Sequence, residues 1–251
     1  MWIALLKSEL LKTKRSLSFL MMIACPFAVV SLQALLMLNK DGGAMIEKSG
    51  WKMLWMMGDS LWCYFMLPLY VALVSALLNG NEHKNQTWRV MMTLPIKQYQ
   101  LYLTKALLAW FYIVGANIFL FVWTAILILL FMLLGVTNPA ENFSSAFDYP
   151  IIKQLSKSAI SCLPILFFQH ALSWRVQNIV APLAVGVIAT MGILKIGQSE
   201  HWIYYPWSYI TMANMGGDPD AQTTALILSL SVSGILLFVS TLWLSRKEVY
   251  S

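Results

Sequence analysis

Gln169, His170 and Arg175 stand close together in the stretch "FFQHALSWR". An imidazole titrates near neutral pH, and an amide and a guanidinium beside it suit polar and anionic groups. At the inner face of a membrane, that trio would serve an integral membrane enzyme acting on a lipid. Elsewhere the sequence offers little chemistry. There is no G-x-x-x-x-G-K-[ST] loop to cradle phosphates, no H-E-x-x-H to hold zinc and no G-x-S-x-G nucleophile elbow. The chain is therefore expected to carry no cofactor, no metal and no catalytic residue, and not to hydrolyse ATP by itself. His83, His170 and His201 lie in three different regions, and Cys25, Cys63 and Cys162 fall inside apolar runs at no metal-ligand spacing. The cysteines read as small packing residues.

The elements that must hold these residues are set by composition. Of 251 residues, 59% are hydrophobic and 11% charged, against roughly 25% charged residues in an ordinary soluble domain. Apolar runs of about 18 residues or more suit a hydrocarbon core of about 30 Å. The expected fold is all-α: a single transmembrane domain over 1–251, with six spans at about 17–38, 54–78, 106–136, 158–172, 179–196 and 223–244. The fourth span is short and interrupted by Pro164, so it either begins earlier, near Ile151, or is a broken helix packed inside the bundle. Gly186 and Thr190, at i and i+4 in the fifth, fit either a close helix approach or the ordinary tolerance of Gly in a membrane helix.

Charge sets orientation. With both termini in the cytoplasm, the inner side holds Lys7, Lys12, Lys14, Arg15, Lys84, Arg89, Lys97, Lys105, Arg175, Arg246 and Lys247, and the outer side Lys40, Lys48, Lys52, Lys153, Lys157 and Lys195. That excess predicts cytosolic termini. The formal charge of +6 is thus spread over short loops, which argues for a bilayer partner and against nucleic acid. The basic, apolar N-terminus reads as a retained anchor. The span middles are almost uncharged, with Asp59 and Lys195 near the outer ends, and this counts against a proton-driven transporter.

Two stretches are amphipathic. In "MWIALLKSELLKTKRSLSF", Trp2, Leu5, Leu6 and Leu10 gather on one side of a helix, with Lys7, Glu9, Lys12 and Lys14 largely elsewhere, which predicts an interfacial helix over 1–16. In "NGNEHKNQTWRVMMTLPIKQYQLYLTK", Asn79, Gly80 and Asn81 are expected to end the second span. A short helix over about 82–94 should follow, broken at Leu94-Pro95. Glu82 would sit in its first turn, where the helix dipole favours a carboxylate. Thr87, Val90, Met91 and Leu94 fall at i, i+3, i+4 and i+7, a stripe fit to press on the membrane or dock in a partner's groove.

The order Glu82, Thr87, Leu94-Pro95 and Lys105 resembles the E-x-x-x-x-T…L-P-x-[SK]-x…K signature that follows the second span in ABC transporter permeases of the type-2 export superfamily. Within it, the size and the E-to-P segment are most similar to permeases of bacteriocin (lantibiotic) immunity and export. The aromatic "HWIYYPWSYITM" stands where that family places short membrane-dipping helices. Lys97 replaces the Ser of many relatives. The resemblance implies a permease in the bacterial cytoplasmic membrane that works with a dimer of separate ABC ATPase subunits, which bind the ATP and Mg, and with a second permease copy or a sister chain. It makes 82–94 a cytosolic coupling helix, with Glu82 as polar anchor, Thr87 and Pro95 as signature residues, Trp88 and Leu94 docking into the ATPase, and Arg89 ion-paired with it. The implied cargo is an amphipathic peptide, lipid or drug.

Overall fold

Leu17 begins a run with no charged residue before Lys40, and a chain entering hydrocarbon must satisfy its backbone internally, which a helix does. In the computed structural model, which describes residues 2–38, 46, 49–84, 97–135, 148–197 and 199–246, that run is α2 (Leu17–Met37), preceded by the short α1 (Trp2–Thr13). The second long helix, α3 (Lys52–Lys84), runs into α4 (Gln98–Leu133) through the segment 85–96. Then come α5 (Ile151–Ser161), α6 (Leu163–Arg175), α7 (Val180–Ile196), a 3₁₀ turn (Glu200–Tyr204), α8 (Ser208–Met215) and α9 (Pro219–Arg246). Among the described residues there is no strand.

Five of these elements, α2, α3, α4, the α5–α6 pair and α9, are long and apolar enough to cross a bilayer, and α7 is a shorter apolar helix at the place of the expected fifth span. The central post is α3, with 67% of its apolar window buried against 22% for α2 and α9. Packed on α3 are α6 and α7, while α1 and α2 lie along α4, and α8 sits between α5 and α9. The exposed faces of α2 and α9 carry large apolar side chains such as Phe27, Leu35, Ile235 and Phe238, the surface that lipid or another apolar helix covers.

Two interruptions have a proline as their cause. Pro68 has no N–H to give the carbonyl of Tyr64, and just before it the helix widens into a π turn at Trp62–Met66, with Leu67 N–H bonding back to Trp62 O. At Cys162 the fourth span breaks into α5 and α6, with Pro164 in the first turn of α6, where its missing N–H costs nothing. That span thus begins at Ile151, and it is broken as well.

One expectation is overturned here. Asn79, Gly80 and Asn81 do not end the second span, since α3 continues to Lys84. Gly80 is needed for a different reason: a side chain there would run into Ile179, at the entry to α7. Gly186 plays the same part further along, where an added Cβ would meet Ala72 Cβ. The small residues bring α7 onto α3 within the chain.

Candidate coupling site

Glu82 lies in the last turn of α3, not the first turn of a separate helix. A carboxylate is disfavoured there, because the carbonyl end of a helix carries the negative end of its dipole. The position is held by cations brought in from two other helices. Lys105, about two turns into α4, is 2% exposed, and its Nζ donates to Glu82 Oε1 at 3.1 Å and to Glu9 Oε2 of α1 at 2.7 Å. Lys12 of α1 donates to Glu9 Oε1 at 2.6 Å and lies 3.5 Å from Glu82 Oε1, with its side chain 45% exposed. Two carboxylates and two ammonium groups form one knot that ties α1, α3 and α4 together. Buried charges are tolerable in this arrangement because each carboxylate meets two cations and the set sums to zero.

The sequence reading placed Glu9 on the polar side of α1. Instead Leu5, Glu9 and Thr13, at i, i+4 and i+8, form the buried face of that helix, and Trp2, Ile3, Leu10 and Leu11 are exposed. The spacing of Glu9 between Leu5 and Thr13 was the available signal. Thr13 extends the tie by accepting a hydrogen bond from Tyr112 OH of α4 at 2.8 Å. Lys105, expected in a connecting loop, is inside α4, which starts at Gln98. Thr87, Trp88, Arg89, Leu94 and Pro95 lie outside the described residues.

Above the knot a second network joins α3, α4 and α6. His170 is wholly buried, with Nε2 3.1 Å from Tyr102 O and Nδ1 3.0 Å from Asn79 Nδ2. Since a carbonyl only accepts, the neutral ring carries its proton on Nε2 and accepts from Asn79 at Nδ1. Asn79 also donates to Ser173 Oγ at 2.7 Å, and Ser173 donates to Ser75 O at 3.1 Å. Both ring nitrogens are thus spent on holding helices. Gln169, with its amide oriented to satisfy both neighbours, donates to Pro182 O at 3.1 Å and accepts from Gly186 N at 3.3 Å. Arg175 stacks over the ring of Trp243. The trio suited to lipid chemistry is therefore divided among three packing tasks and shares no open face. Among the described residues, no three His, Cys, Asp or Glu side chains are grouped to hold a metal.

The second and third spans of this helical bundle are thus clasped to each other through Glu82 and Lys105. The profile of the family described as "ABC-2 family transporter protein" matches residues 5–193. The chain belongs to that family. It is thus a multi-pass membrane protein of the permease type, a transport subunit of the kind that works with an ABC ATPase. The matched region runs from within α1 to within α7 and includes Glu9, Lys12, Glu82 and Lys105 of the knot. No curated protein matches the chain.

Proposed function

We propose that this chain is the permease subunit of an ATP-driven exporter in a bacterial cytoplasmic membrane, with both termini cytosolic, and that ATP is bound and hydrolysed by a separate ATPase dimer docked at segment 85–96. A second permease copy or a sister chain completes the pathway. The cargo is an amphipathic peptide, lipid or drug, and a bacteriocin of the lantibiotic kind is the instance that the resemblance favours.

The observation that carries this reading is the knot. The two helices that enter and leave segment 85–96 are locked to each other by Lys105 and Glu82, and to α1 by Glu9 and Lys12. A push on that segment is then delivered to three helices at once. A ligand-driven motion needs contacts that differ between two states, and a rigid clasp at the point of contact keeps the push from being lost in local bending. In this reading α1 lies along the inner leaflet with Trp2, Ile3 and Leu11 toward lipid, Trp88 and Leu94 enter a cleft on the ATPase, and Arg89 pairs with an acidic group there.

Co-purification with the ATPase is the test. Trp88→Ala or Arg89→Glu should weaken assembly by about 2 kcal/mol, roughly thirtyfold in affinity, while membrane insertion is unchanged. Wild-type assembly and export in both variants would refute docking through this segment.

A further inference from the structure

At the end of the bundle opposite the knot, α3 carries a buried carboxylate to which no Lys or Arg among the described residues is bonded. Asp59 Oδ2 accepts from Gln154 Nε2 at 2.8 Å and Tyr149 OH at 3.2 Å, and Oδ1 accepts from Cys63 Sγ at 3.3 Å. Gln154 uses its second N–H on Asn214 O of α8 at 3.0 Å, and Ser158 donates to Asn214 Oδ1 at 3.1 Å. All of these side chains are buried. Three parts of the chain meet here, α3, α5 with Tyr149 two residues before it, and α8.

Three features distinguish this network from a fixed staple. The carboxylate's own bonds come from neutral donors, so water can replace each of them, and the nearest cation, Lys157, acts on it through space while bonded to Gln222. A carboxylate is costly to bury without a bonded cation and is well solvated once exposed, which makes the closed arrangement marginal. Asp59 and Glu82 lie on the same helix, about 35 Å apart at 1.5 Å per residue, with the π turn at Trp62–Met66 between them. A widened turn is a weak joint in an otherwise rigid rod.

We propose that Asp59, with Tyr149, Gln154, Ser158 and Asn214, is the latch of a gate at the far end of the bundle, which parts and admits water when the knot end of α3 is driven. The proposal rests on the exporter reading for its driving force, whereas the latch itself is a property of this chain alone.

Cys63 reports on the latch, being fully buried beside Asp59 and Ser158. With Cys25→Ser and Cys162→Ser as the parent, a membrane-impermeant maleimide is applied to the permease–ATPase complex in proteoliposomes from the side opposite the ATPase. Labelling of Cys63 should be slow at rest and at least tenfold faster during ATP turnover. In the permease alone, Asp59→Ala should label at least tenfold faster than the parent without ATP, and Tyr149→Phe, which changes only one hydroxyl, should fall between them. A second measurement closes the latch covalently. Ser158→Cys places a thiol where Ser158 Oγ lies 3.5 Å from Cys63 Sγ, so oxidation with copper–phenanthroline should block transport and a reductant should restore it. Cys63 protected during measured ATP turnover, Asp59→Ala as protected as its parent, or undiminished transport by the cross-linked chain would each overturn the latch. Failure of the ATPase to co-purify overturns the exporter reading, and the Asp59→Ala arm still reads.

Discussion

Lys105→Met tests the knot most directly, because it removes the buried one of the two ammonium groups that both carboxylates share while keeping an apolar stem of similar length. Glu9 and Glu82 would then face each other across α1 and α3 with Lys12 as the remaining cation of the knot. Breaking a buried ion pair from one side costs about 3–5 kcal/mol. Lys12 is half exposed and returns about 1 kcal/mol at most, as exposed pairs do. The expected net loss is about 2–4 kcal/mol. Glu82→Gln should cost less, about 1–2 kcal/mol, since Lys105 keeps Glu9 at 2.7 Å and the amide oxygen still accepts. The double variant Lys105→Met, Glu82→Gln should recover part of the loss, because one orphaned charge disappears with the lysine, giving a coupling of about 1–3 kcal/mol in a double-mutant cycle. Unfolding in mixed micelles followed by tryptophan fluorescence gives the stabilities, and ATP hydrolysed per cargo exported gives the coupling. Lys105→Met within about 0.5 kcal/mol of wild type, with unchanged export per ATP, would refute the knot as a mechanical tie.

His170→Phe should destabilise the bundle by about 1–3 kcal/mol through the loss of the ring's hydrogen bonds to Asn79 and to Tyr102 O. A stable His170→Phe that has lost only activity would instead revive the lipid-enzyme reading. Gly186→Leu should cost about 1–3 kcal/mol by forcing α7 off Ala72, whereas Gly234→Leu, which meets nothing within 4 Å, should be neutral in the same unfolding assay. Cysteine labelling of intact cells with an impermeant reagent should modify Glu200→Cys and spare Lys12→Cys, and the reverse pattern would invert the proposed topology.

Hydropathy alone located the long helices, because an uncharged run such as 17–39 has one stable form in hydrocarbon. It missed the ends. Asn79, Gly80 and Asn81 are stop signals in water, yet in α3 Asn79 bonds to His170 and Ser173, and Gly80 makes room for Ile179, so tertiary contacts reverse their meaning. The same limit applies to charge. Lys105 and Glu82 were visible as spaced residues, but the pairing through Glu9 joins positions far apart in sequence and has no local signature. The break at Pro164 was legible because proline acts on its own turn. The π turn at Trp62–Met66 was not, although Pro68 stood next to it.

The position of Glu82 gives the arrangement its mechanical consequence. At the carbonyl end of a helix spanning 33 residues, its charge opposes the dipole, and Lys105 and Lys12 offset that cost. Separating α3 from α4 at this end would break the buried Lys105–Glu82 pair in a poorly solvated place, which is more expensive than moving the two helices together. The cheapest response to force at segment 85–96 is therefore a joint displacement of α1, α3 and α4. Compliance must come from elsewhere in α3, and the first weak element along it from that end is the π turn, beyond which lies Asp59.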